Sequence, residues 1–145
     1  MMNNYDDEYY MRLALNEAKI AYELDEVPIG CVVVKNNQII AKGYNQKTLK
    51  NIATYHAEIL AINKACKKLN TWYLDECTLY TTVEPCLMCT GAILQSRISR
   101  VVYGTKNEAF GYLSKLEDSK IIIQGNVLEN ECSDILTQFF KEKRK

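Results

Sequence analysis

His56, Glu58, Cys86 and Cys89 are the residues of this 145-residue chain whose types and spacing make a chemical site. His56 is its one histidine, and Cys86 and Cys89 form its one Cys-x-x-Cys. One imidazole and two thiolates are three zinc ligands, and a fourth position left to water distinguishes a catalytic zinc from a closed structural one. Glu58, just beyond the histidine, is a carboxylate placed to handle that water's protons. In mid-helix, His56 and Glu58 would lie on different faces. They serve one site only if both stand at a helix entrance, with the metal beyond its end. Cys86 and Cys89, three positions apart in a first turn, point the same way. The positive end of a helix there favours thiolate over thiol.

Two plainer readings compete. A redox pair of the thioredoxin kind wants its Cys-x-x-Cys after the first strand, and it has no use for His56 or Glu58. A closed structural zinc needs a fourth ligand, for which Cys31, Cys66, Cys77 and Cys132 are available but lack paired spacing. Their default role is that of small buried hydrophobes.

Elements must position these groups. Tyr10, Leu13, Ala14, Ala18, Ala21 and Leu24 recur at helical spacing and predict a first helix from about Asp7 to Leu24. Asp25-Glu26-Val27-Pro28 ends it. Gly30 to Val34 reads as a strand, Asn36-Asn37 as a tight turn, and Gln38 to Ala41 as a second strand. Gly43 to Thr54 reads as a polar loop. Ile59, Ile62, Cys66 and Leu69 share a face of a helix beginning near His56. Thr78 to Val83 is a strand, and Pro85 suits the first turn of the helix that follows. Arg100 to Gly104 and Ile121 to Ile123 are apolar runs expected of strands covered on both faces. Glu129 to Lys143 closes the chain as a helix. Alternating strands and helices imply a three-layer α/β fold, and the length suits one domain over residues 1–145.

Composition narrows the setting. Formal net charge is +0, so charge alone does not announce a nucleic-acid binder. No apolar run approaches a membrane span. Met1 to Asp7 is polar and acidic, unlike a secretory leader. Six cysteines scattered through apolar segments suggest a reducing cytosol rather than a disulfide framework. Acid clusters at Asp6, Asp7 and Glu8, and base at Lys141, Lys143, Arg144 and Lys145. Such clusters are by default solvated helix ends. Trp72, Tyr73 and Tyr112 are by default core aromatics.

His-x-Glu with Pro-Cys-x-x-Cys resembles the zinc nucleobase deaminases. The wider pattern is similar to the bacterial tRNA-specific adenosine deaminases. It runs through Glu26-Val27-Pro28-Ile29-Gly30, Gly43-Tyr44-Asn45, His56-Ala57-Glu58-Ile59, Glu84-Pro85-Cys86-Leu87-Met88-Cys89, Arg100-Val101-Val102-Tyr103-Gly104 and Phe139-Phe140-Lys141. This resemblance implies a cytidine deaminase-like fold, a three-layer α/β/α sandwich with a mixed five-stranded sheet. It implies a cytoplasmic homodimer with one zinc ion per subunit, held by His56, Cys86 and Cys89. The reaction implied is hydrolytic deamination of the wobble adenosine of a tRNA anticodon to inosine, with Glu58 as the catalytic acid–base. By the same carry-over, Asn45 contacts the flipped base, Val27 and Val83 line its pocket, and the loop of Asn107 approaches the nucleotide. Phe139, Phe140, Lys141 and Arg144 would hold the anticodon loop. The chain departs from the family at Ile52-Ala53-Thr54-Tyr55, at Asn107 (commonly an aspartate), and in a shortened stretch from Gly111 to Ile121. A deaminase of free guanine or cytidine would use the same zinc chemistry but would not need the basic C-terminal helix. A non-catalytic zinc module would not need Glu58.

Overall fold

The computed structural model describes residues 4–143 of the chain. Helix α1 (Asn4–Glu23) buries Tyr10, Met11, Ala14, Leu15, Ala18 and Ala21 along one stripe. Asp25, at φ 65°, breaks the helix and turns the chain into β1 (Gly30–Lys35). Asn36 and Asn37 both take positive φ, at 51° and 59°, the turn that matches strand twist in a hairpin. They return the chain along β2 (Gln38–Tyr44). The span read as a polar loop after Gly43 is more ordered than expected. Gly43 and Tyr44 complete β2, and a one-turn helix α2 (Lys47–Lys50) follows. Next come α3 (Ala57–Leu69), β3 (Cys77–Val83), α4 (Leu87–Ser96) and β4 (Arg100–Thr105). A 3₁₀ turn at Leu113–Lys115, β5 (Ile122–Gln124) and α5 (Glu129–Lys143) complete the described chain.

The strands form one sheet in the order β2-β1-β3-β4-β5. β1 is antiparallel to both β2 and β3, whereas β3, β4 and β5 run parallel. The sheet is therefore mixed, as the resemblance implied. Its side chains alternate between two apolar layers. Val33, Leu79 and Val101 pack with Ala57, Ala61, Ile62 and Ala65 of α3 and Ile93 of α4. Val32, Val34, Tyr80 and Val102 pack with Met11, Ala14 and Leu15 of α1 and Cys132 of α5.

Three expectations need correction. β5 is exposed at all three positions, with Ile122 62% accessible. It is a short edge strand, so its apolar run does not mark two-sided burial. Trp72, Tyr73 and Tyr112 are not core residues. All three are exposed, and Trp72 and Tyr73 stack edge to face with centroids 5.4 Å apart in the turn between α3 and β3. Asp7 is not a solvated helix end, because it is 1% accessible.

Asp7 explains how α1 is fastened to the sheet. Its carboxylate accepts two hydrogen bonds from Arg100, Nη1 to Oδ1 at 2.9 Å and Nη2 to Oδ2 at 2.6 Å. The Tyr80 hydroxyl donates a third to Oδ1 at 2.8 Å. A bidentate guanidinium fork is the strong form of this pair. Removing one partner strands the other charge in a largely dry setting. Asp7→Ala is expected to cost about 3 kcal/mol, read as a lower urea midpoint, whereas replacing exposed Glu8 by Ala should leave the midpoint nearly unchanged.

Candidate metal centre and active site

The sheet's topology brings four chain segments to one end. β1 starts where the parallel strands β3 and β4 finish, and β2 returns to the same edge. Val27–Ile29, Asn45, Val83–Pro85 and Lys106–Asn107 therefore meet there, outside the carboxyl ends of parallel strands, where open α/β sheets place ligands.

Two helix starts complete the site. His56 is the N-cap of α3, with φ −76° and ψ 154°, and Cys86 is the N-cap of α4, with φ −74° and ψ 179°. Pro85 thus lies one residue outside the helix rather than in its first turn. The His56 side chain makes no hydrogen bond to the start of α3, the Cys86 sulfur is held by Cys89 of α4, and the two side chains point to one spot. Glu58 stands in the first turn of α3, so the entrance geometry that His56 and Glu58 require is present. Gly43 permits it. A Cβ there would run into the backbone of Ala57 and Ala61, so only glycine lets β2 lie this close to the start of α3.

His56 Nδ1 is 3.7 Å from Cys86 Sγ and 3.6 Å from Cys89 Sγ. A tetrahedral zinc with nitrogen and sulfur ligands separates them by roughly 3.6 Å, so the three groups fit one zinc ion. Among the described residues, no other group of three His, Cys, Asp or Glu side chains is set to hold an ion. Cys31, Cys66, Cys77 and Cys132 stay outside this cluster as free thiols.

Electrostatics follow from burial and these contacts. Hydrogen bonding from Cys89, then from His56, pulls Cys86 down to about 3, a thiolate. The bond to Cys86, then burial, push the Cys89 thiol up, so a zinc ion held by both sulfurs would have to displace that proton. The bond to Cys86 raises His56 above its ordinary value. Glu58 is 4% accessible, and burial pushes its carboxyl up to about 7.

A cavity of about 330 Å³ opens onto His56, Glu58 and Cys86. Val83 and Asn107 line it, and so do four residues for which the sequence pattern supplied no role in the site: Ile29, Lys47, Glu84 and Phe110. A larger cavity of about 570 Å³ lies between Tyr73, Arg97 and Lys120 at the opposite end of the sheet and contains none of the site groups. Asn45 and Val27 brace the mouth without lining it. Asn45 Nδ2 donates to the Val27 carbonyl at 3.2 Å, and its Oδ1 accepts from Lys47 N at 3.1 Å. The buried Glu26 carboxylate accepts from the Thr48 and Leu49 amides and so caps α2.

Glu84 organises the other side. Its carboxylate, 3% accessible, accepts from Asn107 N at 3.3 Å and Ser114 N at 2.7 Å. Gly111 packs against it so closely that a Cβ would strike the carboxylate. Gly111 also pairs with Cys86 in an isolated bridge. The 107–114 loop is thereby laid against the second metal-ligand segment. A charged residue directly after an uncharged strand was the available signal, since burial forces such a group to find donors.

The C-terminal residues fall elsewhere. Phe139 is buried against Tyr22, with centroids 5.7 Å apart, whereas Phe140 and Lys141 are exposed. None of the three lines the cavity. Arg144 lies outside the described residues.

Residues 5–144 match the model of the MafB19-like deaminase family. A tRNA-specific adenosine deaminase of Bacillus subtilis is 44% identical over 147 aligned residues, covering 96% of this chain and 91% of that protein. A structure from a study of A-to-I editing by tRNA:A34 deaminases superposes with a TM-score of 0.84 at 37% identity, over 88% of this chain and 99% of that one. A guanine deaminase of Bacillus subtilis is 38% identical, with a lower TM-score of 0.68, over 81% of this chain and 78% of that one.

Replacing Glu84 by Ala removes the acceptor for two loop amides. It should cost about 1–3 kcal/mol and speed hydrogen exchange at Asn107 and Ser114 while the amides of β3 stay protected. Unchanged exchange at both loop positions would show that the loop is held by other contacts.

Proposed function

We propose, from the premise that this chain belongs to the MafB19-like deaminases and among them to the tRNA-specific adenosine deaminases, that it converts the wobble adenosine of a tRNA anticodon to inosine. The observation that carries this reading is the cluster of His56, Cys86 and Cys89 with buried Glu58 at its side. The free-base alternative is weaker on sequence rather than on fold, because a tRNA-specific adenosine deaminase is 44% identical over 96% of this chain, whereas a guanine deaminase from Nitrosomonas europaea superposes as well, with a TM-score of 0.82, but is 26% identical.

In this reading residues 1–145 form one deaminase domain, and His56, Cys86 and Cys89 hold one zinc ion per subunit. When bound, zinc supplies the Lewis acidity that brings a water close to ionisation at neutral pH. Glu58 does the proton work. Its carboxylate takes a proton from the attacking water and passes it to the ring nitrogen beside C6 of adenine. A C–O bond forms at C6. Glu58 then delivers the second proton to the amine, the C–N bond breaks, and ammonia leaves. A carboxyl raised by burial to about 7 suits a group that must both accept and give a proton. Val83 and Ile29 offer an apolar surface to the base, and Asn45 positions the adjoining backbone.

The substrate reading extends to the surface. A loop nucleotide is cheaper to extrude than a paired one, which suits an anticodon target. Exposed Phe140 and Lys141 on α5 are offered to the anticodon loop, together with Arg144; Phe139 supports them from inside. Exposed Leu87 at the start of α4 and exposed Trp72 just past α3 support a homodimer that uses these two helices. The protein acts in the cytoplasm in this reading, and no described helix is long and apolar enough to cross a membrane.

Glu58→Ala should retain zinc, measured by atomic emission, while losing about 10²–10⁴-fold in turnover on an anticodon stem-loop with adenosine at the wobble position. Near-native turnover would remove Glu58 from the mechanism. Cys86→Ala or Cys89→Ala should lose the metal itself. Free adenosine, cytidine and guanine run alongside should be poor substrates, and efficient conversion of guanine would favour the free-base reading. Deleting Lys141–Lys145 should weaken stem-loop binding and flatten its dependence on salt, with little change in thermal midpoint.

A further inference from the structure

Phe110 is the most exposed large apolar side chain among the described residues, at 75% accessible, and it stands at the cavity that opens onto His56, Glu58 and Cys86. A phenyl ring in water has no packing role in this chain, yet the loop beneath it is built to hold it. The Phe110 amide donates to Asn107 Oδ1 at 3.0 Å. The Gly111 amide donates to the Asn107 carbonyl at 2.8 Å. The Tyr112 amide donates to the Pro85 carbonyl at 3.0 Å, and Glu84 takes the amides of Asn107 and Ser114. Residues on either side of Phe110 are thus tied to Glu84 and Pro85, the segment that carries Cys86. The backbone that carries the ring is held at a fixed station relative to the metal ligands.

The cavity holds about 330 Å³, room for a single base beside Glu58 and Val83. A base drawn from a single-stranded loop brings its neighbours to the cavity mouth, where their faces have lost their stacking partner. Single-stranded nucleic acids recover that loss on aromatic side chains. Resting on the function proposed above, we infer that Phe110 is a positioning residue: its ring is the platform on which a nucleotide adjoining the reacting adenosine stacks. The reacting base does not take this face, because the ring lies at the rim and the groups of the reaction lie deeper, with Glu58 at 4% accessible. Lys47, exposed on the same cavity, suits the phosphate that joins the two nucleotides.

The test uses the zinc-loaded full chain and an anticodon stem-loop. 2-Aminopurine is placed in turn at each nucleotide flanking the wobble position and, in a third oligonucleotide, at the wobble position itself. Binding to the native protein should quench one flanking probe. Phe110→Ala should abolish that quench and weaken affinity about tenfold, and Phe110→Trp should restore both. On the unlabelled stem-loop, Phe110→Ala should raise KM far more than it lowers kcat. If the native protein converts wobble adenosine but Phe110→Ala leaves every probe and KM unchanged, the platform role is overturned while the deaminase reading stands. A quench confined to the wobble probe would overturn it too, by placing the ring on the reacting base. If the native protein neither binds nor converts the stem-loop, the deaminase reading fails first.

Discussion

The site depends on two helices surrendering their N-caps. A helix start has unpaired amides that a Ser, Thr, Asp or Asn side chain usually satisfies. Here the cap positions belong to His56 and Cys86, whose side chains turn toward each other and toward Cys89 instead. Both helices keep their positive ends aimed at the same spot, and there the partial charges favour thiolate and a shared anionic partner. The arrangement requires α3 and α4 to begin side by side at one end of the sheet. Gly43 under Ala57 and the Gly111 bridge to Cys86 meet that requirement from opposite sides.

Around this pair, buried carboxylates act as loop organisers. Glu26 accepts the amides at the start of α2, and Glu84 accepts those of Asn107 and Ser114. Each is nearly inaccessible, and each takes two backbone donors that would otherwise be hard to satisfy. The loops at the mouth therefore hold defined stations although they carry little apolar packing. Glu58 is the contrasting acid. Burial raises its carboxyl although its own amide and Cys89 bond it, so the same residue type serves chemistry at one position and architecture at the other two.

Much of this was legible in the residues. Helical spacing marked α1 and α3, Asn36-Asn37 marked the hairpin, and α5 spans Glu129–Lys143 as read. The metal cluster was legible because His56 is unique and the Cys-x-x-Cys is unique, so no competing pairing blurred it. Other features were hidden for physical reasons. The apolar run of β5 does not reveal that no helix covers it, because coverage is a property of topology. Asp7 looked like one more acid in a solvated cluster, and only its distant partners Tyr80 and Arg100 distinguish it from Asp6 and Glu8. Phe110 sits in a polar stretch whose placement depends on hydrogen bonds to Glu84, which no local pattern encodes.

The Asp7–Arg100 fork joins residues 93 positions apart. During synthesis the first helix is made long before β4, so its buried acid has no guanidinium to meet until most of the chain has emerged. Until then α1 can cover Val32 and Val34 of the neighbouring β1 by apolar contact alone, without the fork that fastens it. The fork is added only when β4 joins the sheet, so a residue from the far half of the chain completes the seating of the first helix.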